Sequence, residues 1–232
     1  MKKIATVFIF FISLVGLGQI SGKAEYEIIF GDDPRMLLRE SEKEILKEIQ
    51  HISNELTFNL YFNNEFSFFK IENDNIDYNK YIFLFALAST TPESICFSDL
   101  KNNNFSSKIS SKFLNGIFII VDTVDYQWKI TSEEKLINDF LVIKAIGKNR
   151  KGIPVEAWFC PEIPVNAGPE NFMGLPGLIL ELQVEYTQYI CKKIEFTDIY
   201  NSYIVKPTNA KILNFNSYDE LIKERVNFLR NQ

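Results

Sequence analysis

Residues Gly168 to Leu182 read GPENFMGLPGLILEL, a turn-forming vocabulary that passes without interruption into a strongly apolar stretch. Proline fixes φ near about −65° and glycine accepts positive φ, so a proline followed by a glycine suits the two central positions of a type II turn. With Pro176 and Gly177 at those positions, residues 175–178 are predicted to reverse the chain in this way. Beyond the reversal, strand alternation sends Leu178, Leu180 and Leu182 to one face and Ile179, Glu181 and Gln183 to the other. Upstream, Pro161, Pro164, Gly168 and Pro169 forbid regular ladder pairing and predict a rigid, extended loop.

Around this stretch the chain has the texture of a β-meander. Short aromatic and β-branched runs (TFNLYF, FSFFKI, YIFLFAL, GIFIIVDT, YQWKIT, FLVIKAIG, VEAWFC, LILELQVEY, YICKKIEF and YIVKP) are separated by polar turn clusters such as NNE, ENDN and GKNRKG. The 21 phenylalanines and 10 tyrosines suit a pleated surface. Few of the connections are long enough for a crossover helix, so the sheet is predicted to be mostly antiparallel. AEYEIIFG, from Ala24, is predicted as an early strand. SEKEILKEIQHISN is predicted as a helix capped by Ser41 and Glu44, with Leu38, Ile45, Ile49 and Ile52 at helical spacing. A closing helix is predicted in NSYDELIKERVNFLRNQ, with Ser217 and Glu220 as its capping box and Tyr218, Ile222, Val226 and Leu229 on its packed face. Residues 88–115, rich in Ser, Thr, Asn and Lys, are predicted as a long surface loop or flap.

The expected fold is therefore α+β and mostly β: a single large, curved antiparallel sheet, half-barrel-like, with an early helix and a C-terminal helix. Such a shape is similar to the lipoprotein carrier fold of the periplasm, an analogy of fold only.

VEAWFCPEIPVNAGPENFMGLPGLILEL also resembles the signature of the GLPGLI family, exported proteins typical of Bacteroidetes. Ala157, Trp158, Pro161 to Pro164, Gly168, Pro169 and Gly174 to Ile179 carry the likeness. YQWKIT followed by LINDFLVIKA resembles the strand pair that precedes that signature. Where family members often have a cysteine before KKA, this chain has Val142. The resemblance implies a β-rich exported domain and no settled biochemical activity.

Compartment and charge narrow the functional classes. Lys2 and Lys3 precede a 15-residue apolar run ending in Gly-Leu-Gly, which reads as a cleaved secretory signal over 1–18, leaving 19–232 as one domain. The run is shorter than the roughly 20 residues that cross a bilayer, and no later stretch is long and apolar enough. The expected location is outside the cytoplasm, in the periplasm or cell envelope, or secreted, with no transmembrane segment after signal removal. Loss of the two lysines takes the formal charge from −5 to −7, which argues against nucleic acid as a partner. Cys96, Cys160 and Cys191 would permit one disulfide, with the pairing open.

Catalytic templates are sparse. One histidine, His51, rules out a multi-histidine metal site, and no phosphate-binding glycine loop, dinucleotide fingerprint or Gly-x-Ser-x-Gly elbow is present. No metal and no cofactor is expected. Glu156, Glu162, Glu170 and Glu181 gather around the signature, and a pair of carboxylates could serve hydrolysis of a glycosidic bond. Rigid loops between strands commonly present function, so Trp158, Glu162, Pro164, Phe172 and Leu175 are the candidate ligand- or partner-binding residues. Gly168, Pro169, Gly174, Pro176 and Gly177 are the residues expected to shape the loop. The leading expectation is a non-enzymatic exported module that binds an apolar small molecule in a sheet groove near this loop. The alternative is an interaction module for an envelope protein partner, such as an outer-membrane transport complex, and a carboxylate-dependent hydrolase comes third.

Overall fold

The computed structural model describes residues 20–31, 39–54, 56–72, 95–111 and 113–231. The signal segment, Leu38, the side chains of Ile45, Ile49 and Ile52, the YIFLFAL run and the first part of the 88–115 region lie outside the described residues.

Among the described residues twelve strands form one sheet: β1 (Gly22–Phe30), β2 (Phe58–Phe62), β3 (Phe66–Ile71), β4 (Ile95–Asp99), β5 (Asn104–Ser111), β6 (Gly116–Thr123), β7 (Lys129–Ile137), β8 (Phe140–Lys148), β9 (Pro154–Cys160), β10 (Leu178–Val184), β11 (Thr187–Phe196) and β12 (Lys211–Leu213). Their spatial order is β12-β6-β5-β4-β3-β2-β1-β11-β10-β9-β8-β7. Two antiparallel meanders, β2 to β6 and β7 to β11, are joined by β1, which pairs antiparallel with both β2 and β11. The parallel pair β12–β6 is the exception to the antiparallel pattern. Along β1 burial alternates strictly: Ala24, Tyr26, Ile28 and Phe30 point into the core while their neighbours are half-buried.

The sheet is curled but does not close into a barrel. β6 and β11 stand six strand positions apart, about 29 Å in a flat sheet at roughly 4.8 Å per strand, yet Ile120 of β6 and Tyr189 of β11 line one cavity. Most of the apolar core lies on this inner face. A small cluster of Tyr61, Phe68 and Phe97 occupies the outer face under Tyr200 and Ile204.

Two helices are found among the described residues. In α1 (Glu40–Ser53), Ser41 lies inside the first turn rather than at the cap. The helix docks through Gln50, whose amide donates to the Ile28 carbonyl at 3.0 Å and accepts from the Phe30 amide at 2.9 Å. In α2 (Phe215–Arg230), the N-cap is Asn214, three residues before the expected Ser217; its Oδ1 accepts from the Ser217 amide at 2.9 Å. Only the first turns pack on the sheet, with Phe215 against Phe105 and Tyr218 against Phe118, while Leu229 at the far end of the expected packed face is exposed. Neither helix is long and apolar enough to cross a membrane.

The expected flap over 88–115 contains β4 and β5 instead, a paired hairpin within the sheet. YIVKP is not a strand: Tyr203 closes a 3₁₀ segment, Asp198–Tyr203.

The GLPGL reversal also differs from expectation. The Gly177 amide donates to the Leu175 carbonyl at 2.8 Å, which makes Pro176 the centre of a three-residue γ-turn, and proline's fixed φ suits that position. Val165 and Ile163 bracket Pro164 in the same way at 2.7 Å. Positive φ belongs to Gly174 (+98°), not to Gly177. Gly177 is required for a different reason: a β-carbon there would stand 2.1 Å from the Cys160 carbonyl oxygen. Leu180 then forms a bulge against β9, and the Ile179 carbonyl accepts from the Tyr26 hydroxyl at 2.6 Å, tying β10 to β1.

These two glycines are expected to respond differently to one added methyl group. Gly177→Ala drives the new carbon into backbone and is expected to cost about 3 kcal/mol or more. Gly174→Ala meets only Trp128 at 3.6 Å and incurs the positive-φ cost of about 1 kcal/mol. Urea unfolding of both variants measures the difference, and equal losses would contradict the steric assignment.

Candidate functional site

The loop between β9 and β10 is folded under the inner face by its own backbone. Ile163 and Ala167 carbonyls accept from the amides of Leu178 and Ile179 at 3.0 and 2.9 Å, so the proline-rich excursion runs back along the start of β10. Gly168 allows the crossing, since a β-carbon there would lie 2.7 Å from Ile179 Cδ1 and 2.9 Å from the Phe172 carbonyl oxygen. Ile163, Val165, Ala167, Phe172, Met173 and Leu175 are all buried as a result.

The tip of this loop is a tight turn, in which the Phe172 amide donates to the Pro169 carbonyl at 3.1 Å. Glu170 follows the proline with φ +54°, whereas Asn171 has no positive φ, the pattern of a type II′ turn with a glutamate where glycine is favoured. The segment between β6 and β7 clamps the turn: Tyr126 stacks on Phe172 at 4.8 Å and Trp128 Nε1 donates to the Met173 carbonyl at 2.9 Å. Gly147 lets that segment pass, because a β-carbon would lie 2.7 Å from both Trp128 and the Tyr126 carbonyl.

Two adjoining cavities meet at this turn. The inner one, about 190 Å³, is lined by Ile28, Phe58, Phe69, Ile71, Cys96 and Phe105. The outer one, about 460 Å³, is bounded by Tyr126, Phe172, Arg150, Lys151 and the first turns of α2. Glu170, Asn171 and Tyr189 line both. The Tyr189 hydroxyl donates to Glu170 Oε1 at 2.5 Å, and this is the hydrogen bond that the carboxyl receives from the described residues.

Burial pushes the Glu170 carboxyl up to about 7, opposed only by the Tyr189 hydrogen bond. Its residue surface is not fully enclosed, since the open part faces the cavity space. The same burial, with the Glu170 charge second, holds the Tyr189 and Tyr126 hydroxyls and the Cys96 thiol protonated. Cys96, Cys160 and Cys191 are free and buried, so the disulfide that the sequence permitted is not formed. Burial pushes the Cys191 thiol up to about 12 and raises Cys160, which makes all three poor nucleophiles. At the mouth, Arg150 donates to Asp219 at 2.8 Å and lies 3.9 Å above the Phe215 ring.

Of the five residues singled out from sequence, Phe172 lines the cavity. Trp158 is on the opposite face of β9, buried beneath Lys135 and Lys144, whose ammonium groups stand 4.2 and 5.5 Å from its ring centre. Leu175 is a core residue, Pro164 is exposed, and Glu162 borders a separate open depression beside Phe196 and Asp198. The four glutamates also part company. Glu156 and Glu181 pair with Lys144 and Lys135 at 3.1 and 2.7 Å on the outer face, Glu162 is exposed, and Glu170 alone of the four lines the inner cavity. The paired-carboxylate arrangement for hydrolysis is not assembled from this group. Tyr126, Trp128 and Tyr189, which build the site, gave no signal in the sequence beyond strand composition.

A protein-family model described as "Protein of unknown function (Porph_ging)", a Bacteroidetes-associated family, matches residues 147–181, from the glycine under Trp128 to Glu181 on β10. Comparison with curated proteins finds no match. Two crystal structures of PNGF-II, in space groups P21 and C2, have a similar fold, with TM-scores of 0.55 and 0.57 and identities of 15% and 16%. Each likeness covers 89% of this chain, but 34% and 33% of PNGF-II, so this chain spans about a third of that protein's length.

Glu170 ties stability to pH. Its folded-state value lies above the ordinary carboxylate value of 4.5, so the folded protein retains a proton that the unfolded chain has lost. The contribution of this group to stability is therefore fully present below about pH 4.5, is lost as pH rises through about 7 and changes no further beyond it. Glu170→Gln is expected to remove this fall, which amounts to about 3 kcal/mol, leaving the variant more stable than wild type at pH 8 and level with it at pH 4. Denaturant midpoints across pH 4–8 measure it; parallel curves would show that the carboxyl is not desolvated.

Proposed function

We propose that the protein is an exported, non-catalytic binding module of the GLPGLI type that holds an apolar small molecule in the cavity beneath the Pro169–Phe172 turn. One observation carries the reading: two cavities adjoin at this turn, the outer, of about 460 Å³, within the size range of small-molecule sites, and the inner, of about 190 Å³, with a mostly apolar wall. Phe58, Phe69, Ile71 and Phe105 offer the apolar wall, and Glu170 and Tyr189 offer the orienting polar pair. The basic-then-apolar run over 1–18 supports the export part of the reading.

The rival reading, a loop that docks an envelope partner, calls for exposed apolar side chains between Pro164 and Pro176. Pro164 and Pro176 are exposed, but Val165, Phe172, Met173 and Leu175 between them are buried, which favours the cavity over the loop surface.

The reading predicts that protein purified without detergent from its exporting host yields, on organic extraction, a stoichiometric apolar molecule by mass spectrometry. Ser107, which lines the inner cavity, gives the matched control. Ser107→Phe fills that space and is expected to lose the molecule while remaining folded. Empty extracts from well-folded wild-type protein would count against a carrier.

A further inference from the structure

The site's charge specifies more than an apolar ligand. Glu170 sits where the two cavities meet, and no lysine, arginine or histidine among the described residues is paired with it: its hydrogen bond comes from a neutral tyrosine. Groups facing it from the packed elements are Tyr189 of β11, Tyr126 of the β6–β7 segment and Cys96 of β4, all uncharged in the folded protein. Farther out, the wall of the outer cavity carries Asp125, Glu185 and Asp219 against Arg150 and Lys151, and Arg150 is already engaged by Asp219. With Glu170 ionised, the lining holds four carboxylates against two cations. A buried carboxyl in such surroundings is relieved by a proton or by a cation brought in by the ligand. A ligand carboxylate would face it as a like charge.

Resting on the reading above that the cavity is a binding site, we infer that the ligand is a cationic amphiphile, with a primary ammonium group hydrogen-bonded to Glu170 and its hydrocarbon part in the chamber formed by Ile28, Phe58, Phe69, Ile71 and Phe105. The ammonium group occupies the junction of the two cavities, beside Glu170 and Tyr189. Because a primary amine remains protonated to well above pH 9, the carboxyl alone sets the pH dependence of capture. Below about pH 7 Glu170 must lose its proton before pairing, so affinity rises with pH, by up to tenfold per unit, and levels off above that value.

Calorimetric titration of the full chain with octylamine, octanol and octanoate separates the two levels of this argument. At pH 8 octylamine is expected to bind at least tenfold tighter than octanol, with octanoate weakest, and the octylamine advantage is expected to shrink from pH 8 to pH 5.5. Glu170→Gln should abolish both the preference and its pH dependence. The pH profile of the wild-type protein tests the inference without the variant. If octanol binds as well as octylamine, or octanoate binds best, the cationic ligand is overturned and the apolar cavity stands. If none of the three binds to folded protein, both readings fall.

Discussion

The missing side chain at Gly177 is the constraint on which the site depends. Cys160 ends β9 and Gly177 precedes β10, and the Gly177 α-carbon lies so close to the Cys160 carbonyl that any β-carbon would overlap it. Because the two strands meet this tightly, the sixteen residues between Cys160 and Gly177 cannot form a simple hairpin loop and are expelled as an excursion. The prolines then fix its direction. Pro164 and Pro176 each centre a γ-turn, so the excursion leaves and returns as stiff segments, and its apolar side chains are driven beneath the sheet. Glu170 reaches the cavity only because the loop has been turned inward in this way.

The other determinant is β1. It joins two meanders that are each local in sequence, and its partner β11 lies more than 150 residues away. Local hairpins can form early, but the curl that creates the cavity requires this distant pairing, whose loop-closure entropy makes it slow. Tyr26 shows how the two determinants meet: from β1 its hydroxyl takes the Ile179 carbonyl that the Leu180 bulge leaves over. The inner wall, through Ile28, is thus built by the same strand that secures the signature turn.

Where side-chain chemistry follows strand periodicity, the sequence was legible. FSFFKI and GIFIIVDT coincide with β3 and β6 because aromatic and β-branched residues on a pleated surface leave no competing structure. β5 was hidden because NFSSKISS has the composition of a loop, and its pairing with β4 and β6 is tertiary. Its Ser106 is buried, as are Ser67 on β3 and Ser98 on β4, so serine here is a small interior residue that composition alone assigns to the surface. The cap of α2 was misplaced because Asn214 and Ser217 are both good N-cap residues, and the contact of Phe215 with Phe105 favours the earlier start. Glu170 was visible only as one acid among four. Which way a carboxylate in a proline-rich loop points depends on the path of the whole loop, and that path depends on the Cys160 contact.

Two features of Glu170 weaken the fold, and their coincidence is informative. A non-glycine residue at φ +54° and a carboxyl that burial drives to about 7 each cost free energy, and Gly or Gln at this position would remove one or the other. The rest of the loop is arranged to hold the residue there regardless: Pro169 precedes it, Tyr126 and Trp128 clamp the residues after it, and Tyr189 meets its oxygen. A side chain kept for stability would have its charge matched by the protein, as Glu156 and Glu181 are matched by Lys144 and Lys135 on the outer face. Among the described residues Glu170 instead meets only the neutral Tyr189 hydroxyl, at the place where the two cavities adjoin.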